Sequence, residues 1–504
     1  MIGRRLIVNY LGQGWAALIG MIFVPVYISY LGIAAYGIVG LYVVLVAFLS
    51  LLGGGLVPAL GRSMARYSGG AVTAEALRDL LRGTETVVIA VAVGIALFLS
   101  LASGWLADHW LRIDDLPRDT VADAIAILGF SVACRFVEAI YHASLIGLQR
   151  QMFLNAANAL IATIRAVGAV AVLAWYEPSI GAYFAWQGVV SLVSVAVLAR
   201  ITYAVLPPAP RPGRFSSERI REVLPYAGGM FTVTALSLLL AQGDKLLLSR
   251  LLPLSEYGLY TFASVVASGL VLLTIPVYQS WLPRLVELQS RQDHDKFRSA
   301  FHASAQVQTV VTGSLGLVLV AFSGEIIDVW TKNPELDHAA RLVSILALGN
   351  TFNALALGPN MLQIAYGYTR LLVGAQTVAL VVAVPALLIA VTHAGAVGAA
   401  SVWVATNLGL VLVSSPFLFR NTLADAKWRW YRDDIAMPAA AAGLAILAFR
   451  LWAPWPDARI GKLLLLALIC GVAVLAAAMA ASVTRTYLLT RARAWAPRRP
   501  GAAG

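Results

Sequence analysis

Charged side chains are scarce in this chain: Asp, Glu, Lys and Arg make up 12% of 504 residues, against 60% hydrophobic. A soluble domain carries about 25% charged residues, so a water-exposed globule is excluded. No polar stretch is long enough to form a sizeable soluble domain between the apolar runs. Cysteine is nearly absent, and Cys134 and Cys470 each sit in an apolar run. A disulfide framework is not implied, and the ligand cluster that a metal site needs is missing. No Walker-type phosphate loop is present, which argues against direct use of ATP. Acidic residues are outnumbered by basic ones, 25 to 37, for a formal net charge of +12.

What fills the chain instead is a series of apolar runs of about twenty residues, the length that crosses a bilayer. Fourteen can be marked, among them 36–60, 223–251, 371–392 and 397–419. The expected fold class is an all-α polytopic membrane protein of about 14 transmembrane helices. The run after MIGRRL reaches Leu31, longer than a signal-peptide core of about 7–15 residues, and is expected to be retained as the first span. With these spans, 26 Lys and Arg fall in connections on one side and 7 on the other. The positive-inside rule then puts both termini in the cytoplasm. The basic excess is thus a topology signal facing anionic headgroups, and no nucleic acid partner is expected.

Three phrases recur at a nearly constant lag. Tyr36-Gly37 returns as Tyr257-Gly258, "GLQR" (147–150) meets "GYTR" (367–370), and "IGAYFAW" (180–186) meets "VGAASVW" (397–403). The reading is two parallel six-helix repeats: an N-terminal bundle, 1–205, and a C-terminal bundle, 223–420. The stretch 206–222 links them as a proline-containing cytoplasmic segment. Residues 421–504 add two further helices and a basic tail. Parallel membrane repeats usually flank a central cavity and work by alternating access, so transport outranks other functions, and no enzyme activity is expected.

Ionisable groups within membrane spans cost at least about 2.5–3.5 kcal/mol each on insertion scales and normally face a cavity or a partner. Arg165 lies mid-span, with Asn155 and Asn158 on the same helical face. Arg135, Glu138 and His142 share a face by their +3 and +4 spacing. Two readings stand for that set: a neutral Arg135–Glu138 structural pair, or Arg135 turned into a cavity with Glu138 or His142 tuning it. Asp244 and Lys245 sit near the end of the seventh run, as an interfacial pair or as cavity groups. Asn350, Asn353, Asn360 and Gln363 fall within an arc of about 140°. They suit either sugar hydroxyls or interhelical bonding. Arginine's fork matches phosphate oxygens, so a cationic cavity rimmed by amides suits an anionic substrate bearing hydroxyls. The candidate substrate-binding residues are therefore Arg135, Arg165, Lys245, Asn158, Asn350, Asn353 and Asn360. The candidates for ion coupling are Glu138, Asp244 and His142.

The opening "NYLGQGWAALIGMIFVPVYISYLGIAAYGIVGLY" and the later "GDKLLLSRLLPLSEYGLYTFA" resemble polysaccharide transporters, the Wzx-type flippases of the multidrug/oligosaccharidyl-lipid/polysaccharide (MOP) superfamily. The resemblance covers essentially the whole chain. It implies a MATE-like fold and translocation of an undecaprenyl-diphosphate-linked oligosaccharide across the bacterial inner membrane. O-antigen, capsule or exopolysaccharide synthesis would use it, with a polysaccharide polymerase and a chain-length regulator as further partners. No cofactor is expected, and a proton or sodium gradient acting through Glu138, Asp244 or His142 is the expected source of work. Lipid II flippases carry arginines in their first helices, where this chain has Asn9 and Gln13. The rival expectations are an ion-coupled multidrug exporter and a membrane-embedded polymerase or ligase.

Overall fold

The computed structural model describes residues 14–68, 72–486 and 490. Asn9, Gln13, the first basic pair (Arg4, Arg5) and the basic tail from 491 lie outside the described residues. The described chain is helical, with one isolated backbone bridge between Arg112 and Pro253 in place of any strand. Among the described residues, eleven helices are long and apolar enough to span a membrane. The protein is a multi-pass membrane protein.

In order the helices, shorter ones included, are α1 (Gly14–Leu31), α2 (Ile33–Leu49), α3 (Leu56–Ser68), α4 (Ala74–Trp110), α5 (Arg118–Gly147), α6 (Gln151–Trp175) and α7 (Ile180–Val205). Then come α8 (Ser217–Leu251), α9 (Leu254–Ser290), α10 (His294–Ala321), α11 (Ser323–Thr331), α12 (Ala340–Tyr366), α13 (Val373–Arg420), α14 (Lys427–Trp452) and α15 (Arg459–Ala480). Starts are marked by side-chain caps. Thr73, Ser179, Ser216 and Asp293 accept from the backbone N–H of Ala76, Ala182, Arg219 and Lys296, satisfying first-turn donors that have no intrahelical partner.

The difference between fourteen expected spans and eleven has local causes. Turns at residues 50–55 stop α2 after 17 residues, so the run 36–60 is split between α2 and α3. The helix over 223–251 is present as α8 but is not among the eleven. The runs 371–392 and 397–419 are both within α13, broken where Ala394 and Gly395 leave helical geometry, with Gly395 at φ 51°. A left-handed φ favours glycine. A Cβ on Gly398 would strike the carbonyl of Ala390, although eight residues of straight helix rise about 12 Å. The two limbs of α13 therefore fold back on each other.

The described chain forms two compact units, Met1–Phe262 and Ala263–Gly504, with the boundary inside α9. In the first, α5 packs between α4 and α7 while α8 lies on α2, α3 and α4. Its core gathers Leu60, Leu77, Leu81, Phe136, Ile140 and Leu198. The proline-containing linker is tied down. Asp79 on α4 takes both Arg211 nitrogens at 3.0 and 2.6 Å and the Arg214 N–H at 2.7 Å. In the second unit one core collects Phe297, Phe301, Phe419 and Trp430. Another joins α10 to α14 and α15 through Val318, Phe322, Ile446, Ile469 and Ala473.

The repeated Tyr-Gly phrase has a spatial counterpart within the first unit. The opening turns of α2 and α9 cross at Gly37 and Gly258. A Cβ on Gly37 would lie 2.7 Å from the Leu254 carbonyl oxygen, and one on Gly258 would strike that of Ile33. Ile33 and Leu254 stand at the same offset as the two glycines, so the crossing is a pseudo-twofold one. Asp114 adds a cap to α9 by accepting from the Ser255 N–H at 3.2 Å and from its hydroxyl. Overpacking of this kind costs about 1–3 kcal/mol. Gly258→Ala should accordingly lower the thermal midpoint of the detergent-solubilised protein. Gly243→Ala, whose methyl meets nothing within 4 Å, should leave it unchanged or slightly raised.

Candidate functional site

The charges of α5 and α6 meet. Arg135 Nη1 lies 2.8 Å from Glu138 Oε2, and Arg165 Nη2 lies 3.7 Å from Glu138 Oε1. The Arg135–Glu138 pair raised by the +3 spacing is formed. One carboxylate nevertheless serves two guanidinium groups, and the set keeps a surplus positive charge. Glu138 is 3% exposed and Arg165 16%, whereas 37% of the Arg135 side chain is open. The buried pair therefore has an accessible cationic end.

Helix α7 supplies what sequence reading missed. Arg165 Nη1 donates to Gln187 Oε1 at 3.1 Å and to Ser191 Oγ at 3.0 Å. These residues are one turn apart on α7, a polar pair in an apolar run, and that spacing was the available signal. Trp186 on the same helix donates from Nε1 to the Arg165 carbonyl at 3.2 Å, fixing the α6 backbone. Ser131 on α5 donates to the Phe184 carbonyl at 3.2 Å, fixing α7 against α5. Tyr27, Tyr183, Phe184 and Tyr42 form an aromatic wall, with successive ring centroids 5.3, 5.3 and 5.6 Å apart. Tyr42 and Tyr183 are electrostatic neighbours of Arg165.

Between Glu138 and Arg165, two buried polar atoms lack a hydrogen bond: Glu138 Oε1 and Arg165 Nη2. They face each other at ion-pair distance but too far apart for a direct hydrogen bond. A buried charge whose hydrogen-bonding capacity is unfilled is expensive, and the arrangement suits a further oxygen ligand. His142, one turn from Glu138 on α5, and Asn158, two turns from Arg165 on α6, are neighbours of the same group: Glu138, Arg135 and Asn158 all act on His142.

Other candidates lie elsewhere. Asp244 and Lys245 are adjacent on α8, and the flexible lysine stem brings Nζ to 3.5 Å from Asp244 Oδ1. The Tyr260 hydroxyl donates to Asp244 Oδ2 at 2.8 Å, so these residues form a second cluster at the end of α8. The amides of α12 are in the second unit. Asn350 donates to the Ala267 carbonyl at 2.9 Å and accepts from Trp403 Nε1 at 2.9 Å. Asn353 donates to Asn407 at 2.8 Å. Both amides bond helix to helix, the alternative to sugar binding that their spacing left open. Asn360 is half-buried on the same helix. No group of three or more metal-ligating side chains occurs among the described residues.

Solved structures share this fold. The chain superimposes on a lipid II flippase, MurJ, in an inward closed conformation with TM-score 0.73, covering 96% of this chain and all of that one at 13% identity. The MATE multidrug transporter DinF-BH matches with TM-score 0.60 over 84% of this chain and 94% of that one, again at 13% identity. The fold is that of the MOP-superfamily transporters, as the sequence resemblance implied.

The family follows from sequence. The chain belongs to the polysaccharide biosynthesis protein family, whose sequence model matches residues 2–289. A Shigella flexneri protein named for O-antigen transport is 20% identical over 374 residues, 74% of this chain and 87% of that protein.

Leaving the buried Arg165 and the more open Arg135 without their shared counter-charge should be costly, because breaking a buried ion pair on one side costs about 3–5 kcal/mol. Glu138→Gln is expected to lower unfolding stability in detergent by that order. Glu138→Gln with Arg165→Met should recover part of the loss, as an equilibrium unfolding comparison of the two variants would show.

Proposed function

We propose that this transporter is a flippase for undecaprenyl-diphosphate-linked oligosaccharide, moving it from the cytoplasmic to the periplasmic leaflet of the inner membrane. Both termini are cytoplasmic, and the product feeds O-antigen, capsule or exopolysaccharide synthesis. The observation that carries the reading is the Arg135–Glu138–Arg165 cluster, which has more positive than negative charge inside a membrane bundle. Family membership and the relative named for O-antigen transport support the same substrate class.

In this mechanism Arg135, the open member, meets the diphosphate first. A guanidinium fork binds phosphate oxygens in pairs, and the unsatisfied Nη2 of Arg165 offers the next donor. Glu138 is then exchanged for phosphate as the counter-ion, so the arginines never stand bare in the low-dielectric interior. Asn158 and the tyrosine wall border the group and are placed to meet sugar hydroxyls and ring faces. The polyprenyl tail stays in lipid while alternating access carries the headgroup across, driven by a proton or sodium gradient.

A multidrug exporter is the second reading, favoured by the fold shared with MATE transporters. A cationic drug would be repelled by the same cluster. Charge-assisted hydrogen bonds are worth about 1.5–3 kcal/mol, so Arg135→Ala and Arg165→Ala should each cut polymer export about tenfold or more. The check is surface polysaccharide in a transporter-null strain, with membrane insertion verified by immunoblot. Full export by both variants sinks the mechanism. Altered drug sensitivity with unchanged polymer favours the exporter.

A further inference from the structure

The second unit contains a buried acid–base pair that the scheme above does not use. His302 on α10 and Asp434 in the first turns of α14 are 1% and 0% exposed, with His302 Nδ1 2.5 Å from Asp434 Oδ2. The other carboxylate oxygen, Oδ1, accepts from Gln306 Nε2 at 2.8 Å. Gln306 also donates to Ser482 Oγ at 3.2 Å and accepts from the Val483 N–H at 2.9 Å. The pair thus joins three segments: α10, the start of α14 and the short helical stretch just past α15.

Charge counting sets this pair apart. Glu138 has two arginines and Asp244 has Lys245, but no lysine or arginine reaches Asp434 in an ion pair among the described residues. The cations around it are engaged: Arg432 with Asp433 at 2.7 Å and Arg298 with Asp425 at 2.5 Å. Arg429 acts on Asp433, which in turn is a neighbour of His302. Arg485 is on the same helical stretch as Ser482 and Val483. The ionisable groups of α12 are Arg341 and Tyr366, at its two ends, and those of α15 are Arg459, Lys462 and Cys470. With a singly protonated imidazole the pair holds a buried negative charge; a second ring proton neutralises it. The atom that would take or lose that proton, His302 Nε2, is buried and has no hydrogen-bond partner.

We propose that His302 and Asp434 form a proton-binding site through which transport responds to pH. The site rests on the transport reading for its role but not for its chemistry. Protonation cancels the charge where α10, α14 and the end of α15 meet, and a buried charge is a strong lever on helix packing. Histidine is the side chain whose charge changes in the physiological range.

The test uses the full-length chain, 15N-labelled at its six histidines, in phosphatidylethanolamine–phosphatidylglycerol nanodiscs. Imidazole nitrogen spectra are recorded from about pH 5 to about pH 9, and His302 is assigned by its loss in His302→Gln. The expected result is that wild-type His302 gains its second ring proton on acidification, and that in Asp434→Asn it stays singly protonated throughout. A wild-type His302 that keeps one state over the whole range overturns the site. In a transporter-null strain, His302→Gln should export polymer with its dependence on external pH lost. An unchanged pH response overturns the role. If the wild-type chain restores no polymer, the flippase reading fails, while the nitrogen spectra still decide the proton site.

Discussion

One carboxylate shared by two guanidinium groups is the constraint around which the first unit is arranged. In a low-dielectric bundle the arginines need a counter-charge, and Glu138, at 3% exposure, supplies it to both. The surplus charge is spread over neutral acceptors, Gln187 and Ser191, brought in by α7. Trp186 and Ser131 lock α7 to α6 and to α5. The helix contacts and the electrostatics are therefore one arrangement: shifting α7 would strip Arg165 of two acceptors and its backbone of a donor.

The two units solve the problem of polar groups in a membrane differently. The first concentrates cations and leaves one of them open. The second spends its amides on interhelical bonds, Asn350 to α9 and Trp403, and Asn353 to Asn407, and buries a single acid against a histidine. Interhelical hydrogen bonds of this kind are modest individually, averaging about 0.6 kcal/mol in one well-studied membrane bundle. Their use lies in fixing register between helices whose apolar faces slide easily past one another.

Much of this was legible from the sequence, for identifiable reasons. Apolar run length tracks span length because backbone groups in lipid must be bonded internally, so the helices fell close to where they were expected. Spacing of +3 and +4 put Arg135, Glu138 and His142 on one face because helical geometry is local. What stayed hidden depends on other helices. Gln187 and Ser191 are unremarkable until α6 is placed beside them, and His302 and Asp434 are separated by 132 positions. The stripe of α12 amides showed a face but not what the face meets. The Tyr-Gly repeat was visible as text, while the reason for its glycines, two backbones within contact of each other, belongs to three dimensions.

The corner in α13 bears on how the chain enters the bilayer. Its tip is made of Ala394 and Gly395, with His393 bonded back to the Ile389 carbonyl at 2.8 Å, and no lysine, arginine, aspartate or glutamate lies near it. A turn so small has nothing to hold in water and little polar mass to carry across. Insertion of the two limbs together, as a closed hairpin released sideways into lipid, is the route that exposes the fewest backbone groups during biosynthesis.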